Sequence, residues 1–520
     1  MSRLYSTLRR ALQVAADLYY VDIEMTGRAR IPNEGPVIFA ANHPNSIMDS
    51  VILGTRLDRQ VHYLAKSELF ANPLVARLFD ACGVIPLHRN PEGDSTNEHA
   101  FASAFDLLES GRCLGIFPEG RNSLERGMFQ IKTGTARIAL GAEERNNYGL
   151  GVRIVPVGLN FENRDQFMSR VVVRVGEPIE AANYGGYHRE EPRKAVRDLT
   201  DDVAASLREV VATMADDRIR RLAEQVDRIY GRDLIDDMIR YREKKLTEAE
   251  LQGPVDDRRL VEETTEQNAH RRRMRDRLVD EVQQIDPDES GGELDQQLLV
   301  QERIGEAIAY YSEEMPEVVE ELQVRLWRYV DHLDQYRIRG DLSERLPETA
   351  SRRKEAAKLT AYAIIFAVPA MWGFLHNAIP YNLTRLAALQ APDEPMRAFT
   401  GLLSGTAIFG LIYAAICWAL WSGTGGEVWT TGGYMASLPV TGFFFLRYRR
   451  QVSKYRNRIL TRAFVQTRRL LVDALLAERD ALIDALDKLR DHFRAVEEAE
   501  RQGEPPPEPP EIDLEPYWGP

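Results

Sequence analysis

Two side chains raise the first chemical question. His43 and Asp49 stand in NHPNSIMD (Asn42 to Asp49), directly after the apolar run VIFAA, with five residues between them. At that separation a histidine and an aspartate can share one turn, the carboxylate accepting a hydrogen bond from one ring nitrogen. That contact fixes the tautomer and leaves the other nitrogen free as a base. The same pair also reads as a helix cap or a packing contact. Three more motifs follow in order. GVIPLHR (Gly83 to Arg89) is an apolar strand ending in His88 and Arg89. IFPEGRNS (Ile116 to Ser123) is a strand that breaks at Pro118 and presents Glu119, Gly120 and Arg121. IVPVG (Ile154 to Gly158) is a strand with Pro156 inside it. Proline removes a ladder donor, so Pro118 and Pro156 are expected at strand ends or edges. Taken singly, each motif also fits the strand termini of any α/β protein, with Arg89 and Arg121 as surface ions and Glu119 as a turn residue.

The elements that must hold these residues follow from periodicity. Between about residues 20 and 180, apolar runs (Val37 to Ala41, Leu114 to Phe117, Ile154 to Val157, Val171 to Val175) alternate with helical patterns (Glu98 to Glu109, Thr133 to Glu144). That alternation predicts an α/β layer fold over residues 21–188. Ahead of it, residues 1–20 carry Arg3, Arg9 and Arg10 among short apolar spacings, a basic amphipathic helix lying on a membrane or on the domain. Residues 189–350 are charge-rich with helical spacing, such as Leu222, Val226 and Ile229, and read as a helical region with loops at GPVDD (253–257) and DPDESGG (286–292).

Residues 359–446 are apolar. Ala361 to Ile379, Thr400 to Trp421 and Val428 to Leu446 carry no formal charge, and each approaches the roughly 20 residues a spanning helix needs. Trp372, Trp418, Trp421, Trp429 and Tyr434 suit interfacial positions. Basic residues precede the first run (Arg352, Arg353, Lys354, Lys358) and follow the last (Arg447, Arg449, Arg450, Lys454, Arg456), so both flanks belong on the cytoplasmic side. Three full crossings would separate them. The reading is therefore a re-entrant segment at 359–389, kinked at Pro369 and turning at HNAIPYN (His376 to Asn382), followed by spanning helices at 400–421 and 428–446, with buried helices of a soluble domain as the alternative. A charged helix (447–500) and an acidic Pro-rich tail (501–520), expected to be disordered, complete the chain.

Composition removes other classes. The 520 residues carry 80 acidic and 67 basic side chains, a net charge of -13, the wrong balance for coating nucleic acid. Three distant cysteines give neither a disulfide scaffold nor a cysteine-rich zinc site, and they fit a reducing compartment. KTGTA (Lys132 to Ala136) is no nucleotide loop, because Ile131 stands where glycine is required. His43 and Asp49 have no further metal ligands nearby in sequence, so no metal is expected.

In their order and spacing the four motifs resemble the glycerophospholipid acyltransferase superfamily, whose first block is NHxxxxD and third FPEGxxS. The likeness covers roughly residues 35 to 180, with GEPI (Gly176 to Ile179) at the closing strand. Two departures stand out: five residues instead of four separate His43 from Asp49, and the third block reads FPEGRNS, displacing Arg121 by one position. NHPNSIMD, FPEG and IKTGTARIAL together look like the glycerol-3-phosphate and dihydroxyacetone-phosphate acyltransferase branch with membrane helices after the catalytic domain. The resemblance implies an α/β acyltransferase domain with a mixed sheet flanked by helices, then a helical region and C-terminal membrane helices. It implies an integral membrane O-acyltransferase of phospholipid (phosphatidic acid) biosynthesis, its catalytic domain on the cytoplasmic face. His43 is then the base and Asp49 its orienting partner; Arg89, Glu119, Gly120, Arg121 and Lys132 bind the polyol phosphate acceptor; Pro156 lines the acyl-donor groove. Acyl-CoA or acyl carrier protein is a co-substrate, with no other cofactor. A 1-acylglycerol-3-phosphate acceptor is the alternative within the class, and an inactive membrane scaffold the alternative outside it.

Overall fold

The run VIFAA becomes a fully buried strand near the middle of a sheet of eight strands. The structure is a computed structural model that describes residues 3–67, 70, 76–77, 79, 82–87, 98–120, 131–212, 218–230, 293–335, 360–391, 393–467 and 469–512. In chain order, helix α1 (Arg3–Tyr19) leads to β1 (Asp22–Thr26), β2 (Val37–Ala41), α2 (Ile47–Arg56), β3 (Val61–Lys66), β4 (Ile85–Leu87), α3 (Glu98–Glu109) and β5 (Cys113–Ile116). Then come α4 (Gly134–Arg145), β6 (Arg153–Phe161), β7 (Arg170–Val175), β8 (Ile179–Glu180) and α5 (Pro192–Val210). The sheet order is β1-β7-β6-β2-β5-β3-β4, with β8 pairing β6. It is mixed: β2 runs parallel to β5 and β6, while β6 meets β7 and β8 antiparallel.

Alternation along β2 sorts the core. Val37, Phe39 and Ala41 pack with Met48, Ile52 and Leu53 of α2, whereas Ile38 and Ala40 pack with Ala136, Ala139 and Leu140 of α4. The chain therefore leaves β2 over one face and β5 over the other. Adjacent parallel strands whose connections part in this way open a crevice at their carboxyl ends, where α/β proteins place their sites. Both NHPNSIMD and FPEG begin there.

Pro156 departs from the expected edge position. It lies inside β6, in register with Ala40 of β2. Its carbonyl accepts from Gly176 N–H at 2.9 Å, so its nitrogen faces that same side. There the partner of β6 changes from β8 (residues 153 and 154) to β7 (from Val157). The missing donor falls in the gap between two ladders, which is why a central strand tolerates the proline. Helix α1 lies on the domain: Tyr5, Ala16 and Tyr19 are buried, and the Arg9 guanidinium donates to the carbonyls of Gly54, Thr55 and Leu57 at the end of α2.

The chain divides into two units, the first Met1–Ala215, Ile235–Leu299 and Ala391–Leu402, the second Asp216–Leu234, Val300–Gln390 and Leu403–Pro520. The second is helical. It contains residues 218–230, most of α6 (Glu293–Glu314), then α7 (Pro316–Gln335), α8 (Ala367–Ala388), most of α9 (Arg397–Gly423), α10 (Val428–Thr467) and α11 (Arg469–Gln502). Among the described residues α9 is the one helix long and apolar enough to cross a membrane by length and composition. The turn expected at His376 to Asn382 is absent, because α8 runs through it with Pro380 inside. Packing against α10 supports the helix there, with Asn377 Nδ2 donating to the Leu438 carbonyl at 3.2 Å, and within α8 the Thr384 hydroxyl donates to the Pro380 carbonyl at 2.8 Å. The chain turns back after Ala388 instead. The loops expected at 253–257 and 286–292 lie outside the described residues, as does the tail from 513; residues 504–512 run on from α11 without helix or strand.

Candidate active site

Strand β2 ends at Ala41, and the side chain of Asn42 then extends its ladder. Asn42 Oδ1 accepts from Leu159 N–H at 2.7 Å, and its Nδ2 donates to the Leu159 carbonyl at 3.1 Å. The next residue, His43, is thereby delivered to a fixed point at the carboxyl end of the sheet. Its Nδ1 lies 2.9 Å from Asp49 Oδ2, which also accepts from Asn45 N–H at 2.8 Å. Asp49 is fully buried in the first turn of α2, where the helix N-terminus favours a carboxylate. Burial pushes its carboxyl above the usual carboxylate range, against the opposing pull of the His43 hydrogen bond and charge, the Asn45 N–H and the Arg164 charge. An ionised Asp49 requires the proton of His43 on Nδ1 and leaves the Nε2 lone pair available.

One of the five intervening residues is strained. Ser46 takes φ 52° and ψ -127° just before α2, a backbone that L-residues seldom adopt. Asn45 is fully buried, its Nδ2 donating to Tyr20 Oη at 3.0 Å and to the Arg164 carbonyl at 2.7 Å. The extra residue does not open the His–Asp contact.

The FPEG turn meets His43 from β5. The Phe117 ring stacks on the imidazole with centroids 4.0 Å apart and planes 14° apart, and Tyr63 lies parallel behind it at 6.3 Å. Pro118 follows the strand end, as expected. Glu119 is buried, 2% exposed, unlike an ordinary solvated turn residue. Gly120 adopts φ +66°, and a Cβ there would come within 2.7 Å of Lys132 Nζ. Lys132 N–H donates to the Pro118 carbonyl at 2.8 Å, so the lysine lies along the turn although it stands twelve positions from Gly120.

The structure thus brings together His43, Asp49, Glu119, Gly120 and Lys132. Pro156 is instead buried in the sheet against Gly176. Arg89 and Arg121 lie outside the described residues. Sequence reasoning missed Phe117 as the stacking partner of His43, and Asn42 and Asn45 as anchors of the loop. The asparagines were visible within NHPNS, but their partners lie over a hundred residues away. Among the described residues no group of three His, Cys, Asp or Glu side chains could hold a metal ion.

The acyltransferase family model matches residues 22–160, which include the whole of this constellation. Residues 22–160 are an acyltransferase-family domain. Glycerol-3-phosphate O-acyltransferase 1 of Saccharomyces cerevisiae is 26% identical over 317 residues, 44% of this chain and 42% of that protein. Glycerol-3-phosphate O-acyltransferase 2 of the same yeast is 35% identical over 135 residues, 26% of this chain and 18% of that protein. The 1-acyl-sn-glycerol-3-phosphate acyltransferase of Bacillus subtilis is 28% identical over 137 residues, 26% of this chain and 65% of that protein. The matches span less than half the length of either yeast protein.

Proposed function

We propose that the chain transfers a fatty acyl group from acyl-CoA or acyl carrier protein to the hydroxyl of glycerol-3-phosphate, dihydroxyacetone phosphate, or both. One observation carries the reading: the His43–Asp49 pair, closed at 2.9 Å at the carboxyl end of β2 with the FPEG turn against it. Nε2 of His43 takes the acceptor hydroxyl proton as that oxygen attacks the thioester carbonyl. The C–S bond then breaks, the new ester C–O bond remains, and the imidazolium returns its proton to the leaving thiolate. Asp49 stabilises the imidazolium in between, and no covalent acyl-enzyme is required. Lys132, beside Gly120, supplies positive charge for the acceptor phosphate, and Arg89 and Arg121 have the same role by resemblance. Glu119 closes the acceptor pocket, and Pro156 belongs to the donor groove by the same resemblance.

Helix α9 spans a bilayer in this reading, with the domain on its cytoplasmic face. The exposed apolar side chains of α8 to α10, Val368, Leu411, Trp418 and Trp429 among them, support it. The likeness to two glycerol-3-phosphate acyltransferases favours that acceptor; the likeness to a 1-acylglycerol-3-phosphate acyltransferase keeps the lysolipid as a second reading. Purified chain in phospholipid nanodiscs, offered radiolabelled acyl-CoA with each of the three acceptors, separates them. Product from glycerol-3-phosphate or dihydroxyacetone phosphate supports the proposal; turnover of the lysolipid alone overturns the acceptor assignment.

A further inference from the structure

The catalytic loop has a partner far along the chain. The Ser46 hydroxyl donates to Met396 Sδ at 3.1 Å, across a sequence separation of 350. Beside it, Arg397 Nη1 lies 3.4 Å from Asp165 Oδ2. The backbone at 164–165 is the one that Asn45 grips from the catalytic loop, through the Arg164 carbonyl, and that Tyr19 Oη holds through the Asp165 carbonyl at 3.1 Å. Ala398 is fully buried in the same apolar cluster as Met48, Ile52 and Tyr20, and Phe399 and Leu402 pack against that cluster. The turn itself is fixed, because the Asp393 carboxylate accepts from Met396 N–H at 3.2 Å. All of these residues belong to the first unit.

These contacts converge on the weakest point of the His–Asp geometry. Ser46 carries a positive φ within the five residues that separate His43 from Asp49. A strained non-glycine backbone persists only where its surroundings over-determine it. The local sequence supplies part of that constraint, through Met48 N–H and Asp49 N–H donating to the Asn45 and Ser46 carbonyls. The rest arrives with residues 393–398, the turn that leads into α9. We propose that Asp393–Ala398 is a positioning element of the active site, in which Met396 and Arg397 hold the His43–Asp49 loop in its working conformation. Neither residue touches the reacting atoms; both act through Ser46, Asn45 and residues 164–165. The apolar helix α9 is then more than an attachment, since the turn that leads into it completes the catalytic domain.

The inference rests on the acyl-transfer reading for its kinetic readout, so the test adds one that does not. Full-length parent, the double variant M396A/R397A, the single variant M396A and the conservative R397K are purified in the same nanodiscs. Each is assayed for acyl transfer, and its histidines are titrated with diethyl pyrocarbonate and read peptide by peptide by mass spectrometry. A shift of the catalytic base by an ångström costs up to about a hundredfold in rate. The double variant should accordingly lose about tenfold to a hundredfold in kcat, with both KM values within about twofold of the parent. Its His43 should react several-fold faster, freed from Asp49 and Phe117, while buried His62, held by the Gly83 carbonyl at 2.9 Å, stays as slow as in the parent. M396A alone should lie between the two, and R397K should restore most of the loss. Unchanged kcat and unchanged His43 reactivity in the double variant would overturn the proposal. So would equal acceleration of His43 and His62, which marks general loosening of the domain. If the parent itself transfers no acyl group, the acyltransferase reading fails while the His43 reactivity still decides the positioning role.

Discussion

The sheet domain and the apolar helices of the second unit expose opposite kinds of surface. In the domain, Ile38, Phe39, Leu114 and Ile154 are completely buried. In the helices, Val368 and Leu411 are each 72% exposed, Trp418 74% and Trp429 89%. Between them the helices bury Leu438 and pair the rings of Phe374 and Phe445, but they also join through polar and small groups. His376 Nε2 meets Tyr434 Oη at 2.6 Å, and Tyr413 Oη donates to Asn377 Oδ1 at 2.6 Å. Gly373 of α8 comes so close to α10 that an added Cβ would sit 2.0 Å from the Thr441 carbonyl oxygen. Exclusion of water holds the first region together. The second adds hydrogen bonds and close backbone approach between helices, the means that helices would rely on in the bilayer proposed above.

The largest effect that sharpens this contrast falls on Asp49, a charge buried in the water-excluding region. Asp49→Asn should lower kcat by about 10² to 10⁴-fold, because His43 loses its tautomer and its partner charge. The fold should not suffer. Burial raises the Asp49 carboxyl above its unfolded value, so folding is favoured by the protonated form, and the parent loses stability as pH rises from the ordinary carboxylate range through the raised one. The asparagine variant lacks that loss. Its apparent melting temperature relative to the parent should be more favourable at pH 8 than at pH 4, which thermal scans of both proteins in micelles would check.

Next come two identical truncations placed in the two regions. Leu114→Ala, in the sheet core, should cost about 2–5 kcal/mol. Leu411→Ala, on the exposed face of α9, should change stability in micelles by less than about 0.5 kcal/mol. Comparable losses at both sites would erase the distinction between the regions. Gly373→Val should force α8 and α10 apart, and unfolding in micelles should register a loss of about 2 kcal/mol or more. The smallest effect belongs to Tyr434→Phe, which removes the bond to His376. Polar contacts between membrane helices are typically worth about 0.6 kcal/mol and at most about 1.7, so a larger loss would mean that the pair does more than join two helices.

Much of the sheet domain was legible because its signals are local. VIFAA and VVVRV read as strands from their apolar runs, and the structure places strands there. Histidine and aspartate in NHPNSIMD stood close enough in sequence for the pair to be foreseen. Other parts depend on remote partners. Pro156 looked like an edge residue because sequence cannot show that β6 changes partner beside it. The stack of Phe117 on His43 needs β5 to lie next to β2, and the role of Met396 needs a turn 350 residues away to reach Ser46. In α8, proline and polar residues at HNAIPYN suggested a turn, yet packing against α10 overrode that local preference and kept the helix intact.

The most direct test of the account is the acyl-transfer rate of His43→Gln, measured on full-length protein in nanodiscs with acyl-CoA and glycerol-3-phosphate. Glutamine keeps the size and polarity of the site but offers no base. The account predicts that product formation falls by about 10³-fold or more, with the same chromatographic profile and melting temperature as the parent. A variant that retains a tenth or more of the parental rate would show that the imidazole at the end of β2 does not perform the chemistry.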